Sequence, residues 1–226
     1  MDENFNTFHI DINSNNKSIW GVTMKVLIVT IIGIMYYTTA FATLCNEHNP
    51  KVDGVPDDVK VFRQVHKVMC QVYKISEPYD FPETMQAIVW QESRAGELKT
   101  SPRVEKFDWA SYGLMQLQPE TVRWILTDLM GTVNVPDDAT LIVRIKTDSV
   151  FSIHVAAVYF NHLYKLFVSK GFNSGTAWRH AVVAYNVGPT RLQKQDYDWD
   201  PNNYLDKIRK HIKLVKVYNE VYGIVE

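Results

Sequence analysis

The 226 residues predict a mostly α fold, one helical domain over about residues 43–226 behind an N-terminal leader. Three observations predict it. Apolar residues recur at three- and four-residue intervals in successive segments. Proline with acidic residues opens several of those segments, and glycine closes them. No stretch sustains the two-residue alternation of a half-buried strand, and no internal repeat is present.

The leader comes first. Residues 1–20 are polar and Asn-rich with no apolar period. Met24 and Lys25 then precede the apolar run Val26 to Tyr37 and the small-residue segment Ala40-Phe41-Ala42. A basic residue, an apolar core and small residues before a cut are the three parts of a secretory signal peptide. Residues 1–42 are therefore expected to direct export to the periplasm or the bacterial envelope, with cleavage after Ala42 and Met24 as an alternative start. A retained membrane anchor is the rival reading, since the run is at the short limit of roughly 17–25 residues for a spanning helix.

Helices follow in order. Pro56-Asp57-Asp58 opens the first, and Val59, Phe62, Val65, Met69 and Val72 line its face to about Lys74. Pro82-Glu83 opens the second through Met85, Ile88 and Val89 to Glu92. A polar stretch to Tyr112 separates it from a third, Pro119 to Met130, with Gly131 at its end. Asp148 or Ser149 caps a long fourth helix whose apolar face carries Phe151, Val155, Val158, His162 and Leu166 until Gly171. Thr176 to Asn186 is a fifth, broken by Gly188-Pro189, and Asn202 or Asn203 starts a last one to about Tyr222.

Composition excludes several function classes. Lys plus Arg number 24 against 25 Asp plus Glu, so no basic excess is available to hold a nucleic-acid backbone. Two cysteines, Cys45 and Cys70, exclude a disulfide-framework miniprotein and a four-thiolate zinc site. In an oxidising compartment they are a candidate disulfide, and two free thiols are the alternative. The seven histidines show no metal-ligand spacing, and no metal or cofactor is expected. Asp196, Asp198, Asp200 and Asn202 alternate like a calcium loop, but Pro201 and Lys207 occupy positions that need Gly and Glu. Lys207, Arg209, Lys210, Lys213 and Lys216 make the last helix basic, either a solvated face or a surface for anionic wall polymer.

Glu92 is the most informative residue. It lies at i+3 from Val89, i+4 from Ile88 and i+7 from Met85, and so shares their stripe. A carboxyl on a core-facing stripe is expensive unless paired or neutral, and burial raises its pKa. A Glu that keeps its proton near neutrality can protonate a leaving oxygen. A structural Glu paired with an arginine has the same spacing.

Three separated signatures bear on that choice: Glu92-Ser93 at a helix end, Gly113-Leu114-Met115-Gln116 after a loop, and Ala184-Tyr185-Asn186 on the fifth helix. In this order and at these separations they resemble the soluble lytic transglycosylases of the lysozyme-like superfamily, from about Met85 to Val221. The resemblance implies a lysozyme-like helical domain that cleaves the β-1,4 bond between N-acetylmuramic acid and N-acetylglucosamine in peptidoglycan. It implies a single Glu, here Glu92, acting as acid and then base while the muramyl C6 hydroxyl closes a 1,6-anhydro ring. A lysozyme-type hydrolase on the same bond and a non-catalytic peptidoglycan-binding scaffold are the alternatives. Peptidoglycan strands are the implied partner; wall growth and a secretion, conjugation or phage envelope machine all remain open as settings.

The other matched positions carry expectations. Ser93 hydrogen-bonds within the site loop or caps its helix. Gly113 allows close backbone approach and leaves main-chain groups for sugar amides. Met115 contacts an acetyl methyl or lies in the core. Gln116 bonds substrate or holds the loop. Tyr185, inward at i+3 from Val182, is expected to give its hydroxyl to Glu92. Asn186 positions substrate or caps the helix end, and Tyr204 lines the cleft floor or packs in the core. Trp109, in the long interval after Glu92, is expected to stack on a sugar, with a packing role as the alternative.

Overall fold

Proline at the first turn and a left-handed residue at the end delimit the helix that everything else surrounds. This helix, Pro82–Ser93, starts on Pro82 and stops where Arg94 takes φ 52°. It is the third α-helix among the described residues, and numbering follows from it. α1 (Asp57–Lys60) passes through a 3₁₀ segment (Val61–Val65) into α2 (His66–Ser76), and α3 is Pro82–Ser93. Then come α4 (Pro119–Trp124), α5 (Asp138–Thr147), α6 (Ser149–Ser169), α7 (Ser174–Val187), α8 (Pro189–Gln193) and α9 (Tyr204–Val221). This computed structural model describes Cys45 and residues 57–96 and 110–224, all within one unit, Cys45–Glu226. The expected signal peptide and Trp109 lie outside the described residues.

The fold is mostly α, as expected. Among the described residues there is no strand, only the bridge between Tyr112 and Leu117. No described helix is long and apolar enough to cross a membrane. α3 packs against α2 on one side and α9 on another, while α6 packs against α7, α2 and α5. Met85, Ala87, Ile88, Val89 and Trp90 of α3 are all buried, so its apolar surface runs around the helix and is wider than the predicted stripe. A buried amide pair fixes its rotation: Gln86 Nε2 donates to Asn219 Oδ1 (2.9 Å) and Asn219 Nδ2 returns a bond to Gln86 Oε1 (2.8 Å). Gln86 also donates to the Met69 carbonyl (3.0 Å), joining α2, α3 and α9.

Several elements differ from expectation. The helix predicted from Pro119 to Met130 widens after Trp124 into a π turn, Ile125–Leu129, closed by Met130 N–H to the Ile125 carbonyl (3.0 Å). α5 was not signalled by periodicity, because it buries only Leu141 and Ile145. α6 is deepest along Ile153, Phe160 and Leu163, with the expected Val158, His162 and Leu166 only half-buried, because neighbours cover more than one face. Gly188-Pro189 ends α7 and at once starts α8, since Pro suits a first helical turn. Cys45 and Cys70 are disulfide-bonded with Cα atoms 5.6 Å apart, tying residue 45 to α2. The basic residues of α9 lie on its exposed side, where Arg209 pairs with Asp206 at 3.2 Å.

Candidate active site

Glu92 occupies the last turn of α3. Arg94, Ala95 and Gly96 then adopt left-handed φ in succession (52°, 54° and 93°), and the chain leaves the helix sharply. Ser93 is buried and links three elements of backbone. Its hydroxyl donates to the Leu114 carbonyl at 2.8 Å and accepts the Gly96 N–H at 3.0 Å. This places Ser93 beneath the loop, holding it against the end of α3.

That loop is a tight turn made by Gly113-Leu114-Met115-Gln116. Tyr112 and Leu117 exchange both backbone hydrogen bonds (2.9 and 3.0 Å), and the Gln116 N–H reaches the Gly113 carbonyl at 3.3 Å. Gly113 has φ 72°, and a Cβ there would stand 2.2 Å from the Ile145 carbonyl oxygen. The close approach that requires glycine is to the Ile145 carbonyl of α5. Met115 is fully buried in the core and is not among the cleft-lining residues, which fits the second of its two expected roles. Gln116 does line the cleft, and its Nε2 holds the turn through the Gly113 carbonyl at 2.9 Å.

The two tyrosines exchange expected positions. The Tyr185 hydroxyl donates to the Met115 carbonyl (2.9 Å), which completes the clamp on the turn. The hydroxyl that reaches Glu92 Oε1, at 2.5 Å, belongs to Tyr204 at the start of α9. Tyr204 is nevertheless buried and is not among the cleft-lining residues. Both rings come from inward helix faces, and only the packing of α7 and α9 against α3 decides which reaches the carboxyl.

Electrostatics at Glu92 follow from this burial. The side chain retains some exposure to the cleft, but its carboxyl is covered enough that burial pushes its pKa up to about 7, with the Tyr204 hydrogen bond pulling the other way. Burial first, and Glu92 second, hold the Tyr185 and Tyr204 hydroxyls well above the usual phenol range. Tyr204 donates to Oε1, so a proton on Glu92 resides on Oε2.

The cleft has a volume of about 630 Å³ and is lined by Glu92, Gln116, Tyr159, Tyr185 and Asn186 among others. Asn186 is exposed and faces this space, while α7 is closed by the Gly188 N–H to the Ala184 carbonyl (2.8 Å) instead of by the Asn186 side chain. Among the described lining residues Glu92 is the one carboxyl. Asp200 is engaged elsewhere, its carboxylate accepting the Leu205 N–H (3.2 and 3.3 Å) at the start of α9. Sequence reasoning missed Tyr159, Arg191 and Trp199 in the lining. Tyr159 lies one turn after Val155 of the predicted face of α6, but Arg191 and Trp199 carry no local signal.

A comparison with curated proteins gave no match. The family model described as the transglycosylase SLT domain matches residues 70–205. That span runs from within α2 to the start of α9 and contains Glu92, the Gly113 turn, Tyr185 and Tyr204; the chain belongs to the SLT transglycosylase domain family.

Proposed function

We propose that the protein is a peptidoglycan lytic transglycosylase. It cleaves the β-1,4 bond between N-acetylmuramic acid and N-acetylglucosamine and leaves 1,6-anhydromuramyl ends. The observation that carries this reading is the Glu92 carboxyl at the cleft, which keeps its proton near neutrality through burial. Paired-carboxylate glycosidases need a second acid as nucleophile or water-activating base. Among the described lining residues Glu92 is the one acid, which suits a substrate that supplies its own nucleophile.

The steps balance without water. Glu92 Oε2 gives its proton to the glycosidic oxygen as the bond to muramyl C1 breaks. The resulting carboxylate, steadied by Tyr204 through Oε1, takes the proton of the muramyl C6 hydroxyl. O6 closes on C1, and Glu92 is protonated again. Gln116 and Asn186 offer amide donors and acceptors to the N-acetyl groups along the cleft. Peptidoglycan lies outside the cytoplasm, so the reading includes export by the residue 1–42 leader.

Mass spectrometry of fragments released from purified sacculi tests the reaction. Anhydro ends, with no added water, are expected; fragments carrying one water per cut would identify a hydrolase. Glu92→Gln is expected to lose turnover by roughly three orders of magnitude while retaining glycan binding. Unaltered lysis by that variant would overturn the assignment.

A further inference from the structure

One wall of the cleft carries a cation that the cleavage steps do not use. Arg191, on α8, is exposed and lines the cleft, with its guanidinium stacked 4.4 Å from the ring centroid of Trp199, which lines the cleft beside it. Among the described residues no carboxylate pairs with Arg191, although Asp196, Asp198 and Asp200 all lie in the adjoining segment.

The pair is held in place by packing. Leu192, next to Arg191, is fully buried and anchors α8. Asp196 and Tyr197 both take left-handed φ (49° and 63°), which turns the chain so that Trp199 lies back over Arg191. Non-glycine residues in that region persist only where the surroundings enforce them. Here the enforcement is the Tyr197 ring, set 5.1 Å from Phe172, 5.2 Å from His180 and 5.9 Å from Phe167. A stacked guanidinium has its face covered and its N–H edge free, the arrangement that receives a carboxylate through two parallel hydrogen bonds.

We propose that Arg191, oriented by Trp199, is a specificity residue that binds a carboxylate carried on the muramyl side chain of the glycan. This rests on the transglycosylase reading, because it takes the cleft to hold a muramyl glycan. Two sources share the chemistry, the free lactyl acid of a strand without peptides and the acids of an attached stem peptide. A glycan of N-acetylglucosamine alone has neither.

Binding measured by calorimetry on the Glu92→Gln protein separates these cases, since turnover is stopped and the fold is kept. The probes are a chitin-derived hexamer, a peptide-free peptidoglycan strand of equal length, and a peptide-bearing strand. At least one acid-bearing strand is expected to bind about tenfold tighter than the hexamer. Preference for the peptide-free strand assigns the lactyl acid, and preference for the peptide-bearing strand alone assigns the stem peptide. Adding Arg191→Gln is expected to abolish the preference and leave hexamer affinity unchanged, with Arg191→Lys restoring part of it. Equal affinities before the change, or an equal loss for all three probes after it, would overturn the proposal alone. Failure of all three glycans to bind the Glu92→Gln protein would overturn the transglycosylase reading with it.

Discussion

The proton on Glu92 is set by two opposed influences, burial that retains it and a tyrosine hydroxyl that favours its loss. Tyr204→Phe removes the second and leaves the first. The Glu92 pKa then moves further up, so the alkaline limb of the pH–rate profile is expected to shift to higher pH. The rate is expected to fall roughly tenfold, because the conjugate base loses its hydrogen bond. Tyr185→Phe lacks that signature, since its hydroxyl serves the Met115 carbonyl. A pH–rate profile unmoved by Tyr204→Phe would remove Tyr204 from the proton's control. Glu92 was legible from spacing because an acid on the surface of Met85, Ile88 and Val89 breaks the apolar pattern. Its partner was not, because Tyr185 and Tyr204 both sit on inward faces and helix periodicity says nothing about which helix lies across the core.

At the scale of elements, the Gly113–Gln116 turn owes its shape to neighbours that grip its main chain. Ser93 takes one carbonyl, Tyr185 the next, and the Ile145 carbonyl of α5 stands where a Gly113 side chain would go. Gly113→Ala is expected to cost about 2 kcal/mol or more, from a left-handed φ and a clash with backbone that cannot yield. Urea unfolding measures it, and an unchanged midpoint would mean that α5 can retreat. The tetrad was readable as a motif, but its contact with α5 was not, because α5 shows only Leu141 and Ile145 to the core and so carries too short a stripe. Elements with strong boundary chemistry were read closely. Asp148 accepts the Phe151 N–H at 2.9 Å as the start of α6, and Pro82 opens α3. The π turn after Trp124 has no comparable mark in residue type.

For the whole molecule, a site acid held at about 7 makes stability depend on pH. The folded pKa of Glu92 exceeds its ordinary 4.5, so its contribution is fully present below pH 4.5 and is lost as pH rises to about 7. The loss is at most roughly 3 kcal/mol. Glu92→Gln cannot ionise, so its stability relative to the parent is expected to improve across that window and to level off above it. Chemical unfolding of both proteins at pH 4.5, 6 and 8 checks this; a constant difference would mean that Glu92 titrates alike folded and unfolded. Overall helical architecture was legible because periodicity survives in nearly every segment. The grouping of Arg191 with Trp199 was not, since it depends on Tyr197 being seated among rings from α6 and α7.

The mutual amide pair between Gln86 and Asn219 limits how this chain can drift over generations. Each satisfies the other where no solvent reaches, so a lone replacement strands its counterpart. Descendants should therefore either inherit both or exchange both together for hydrocarbon.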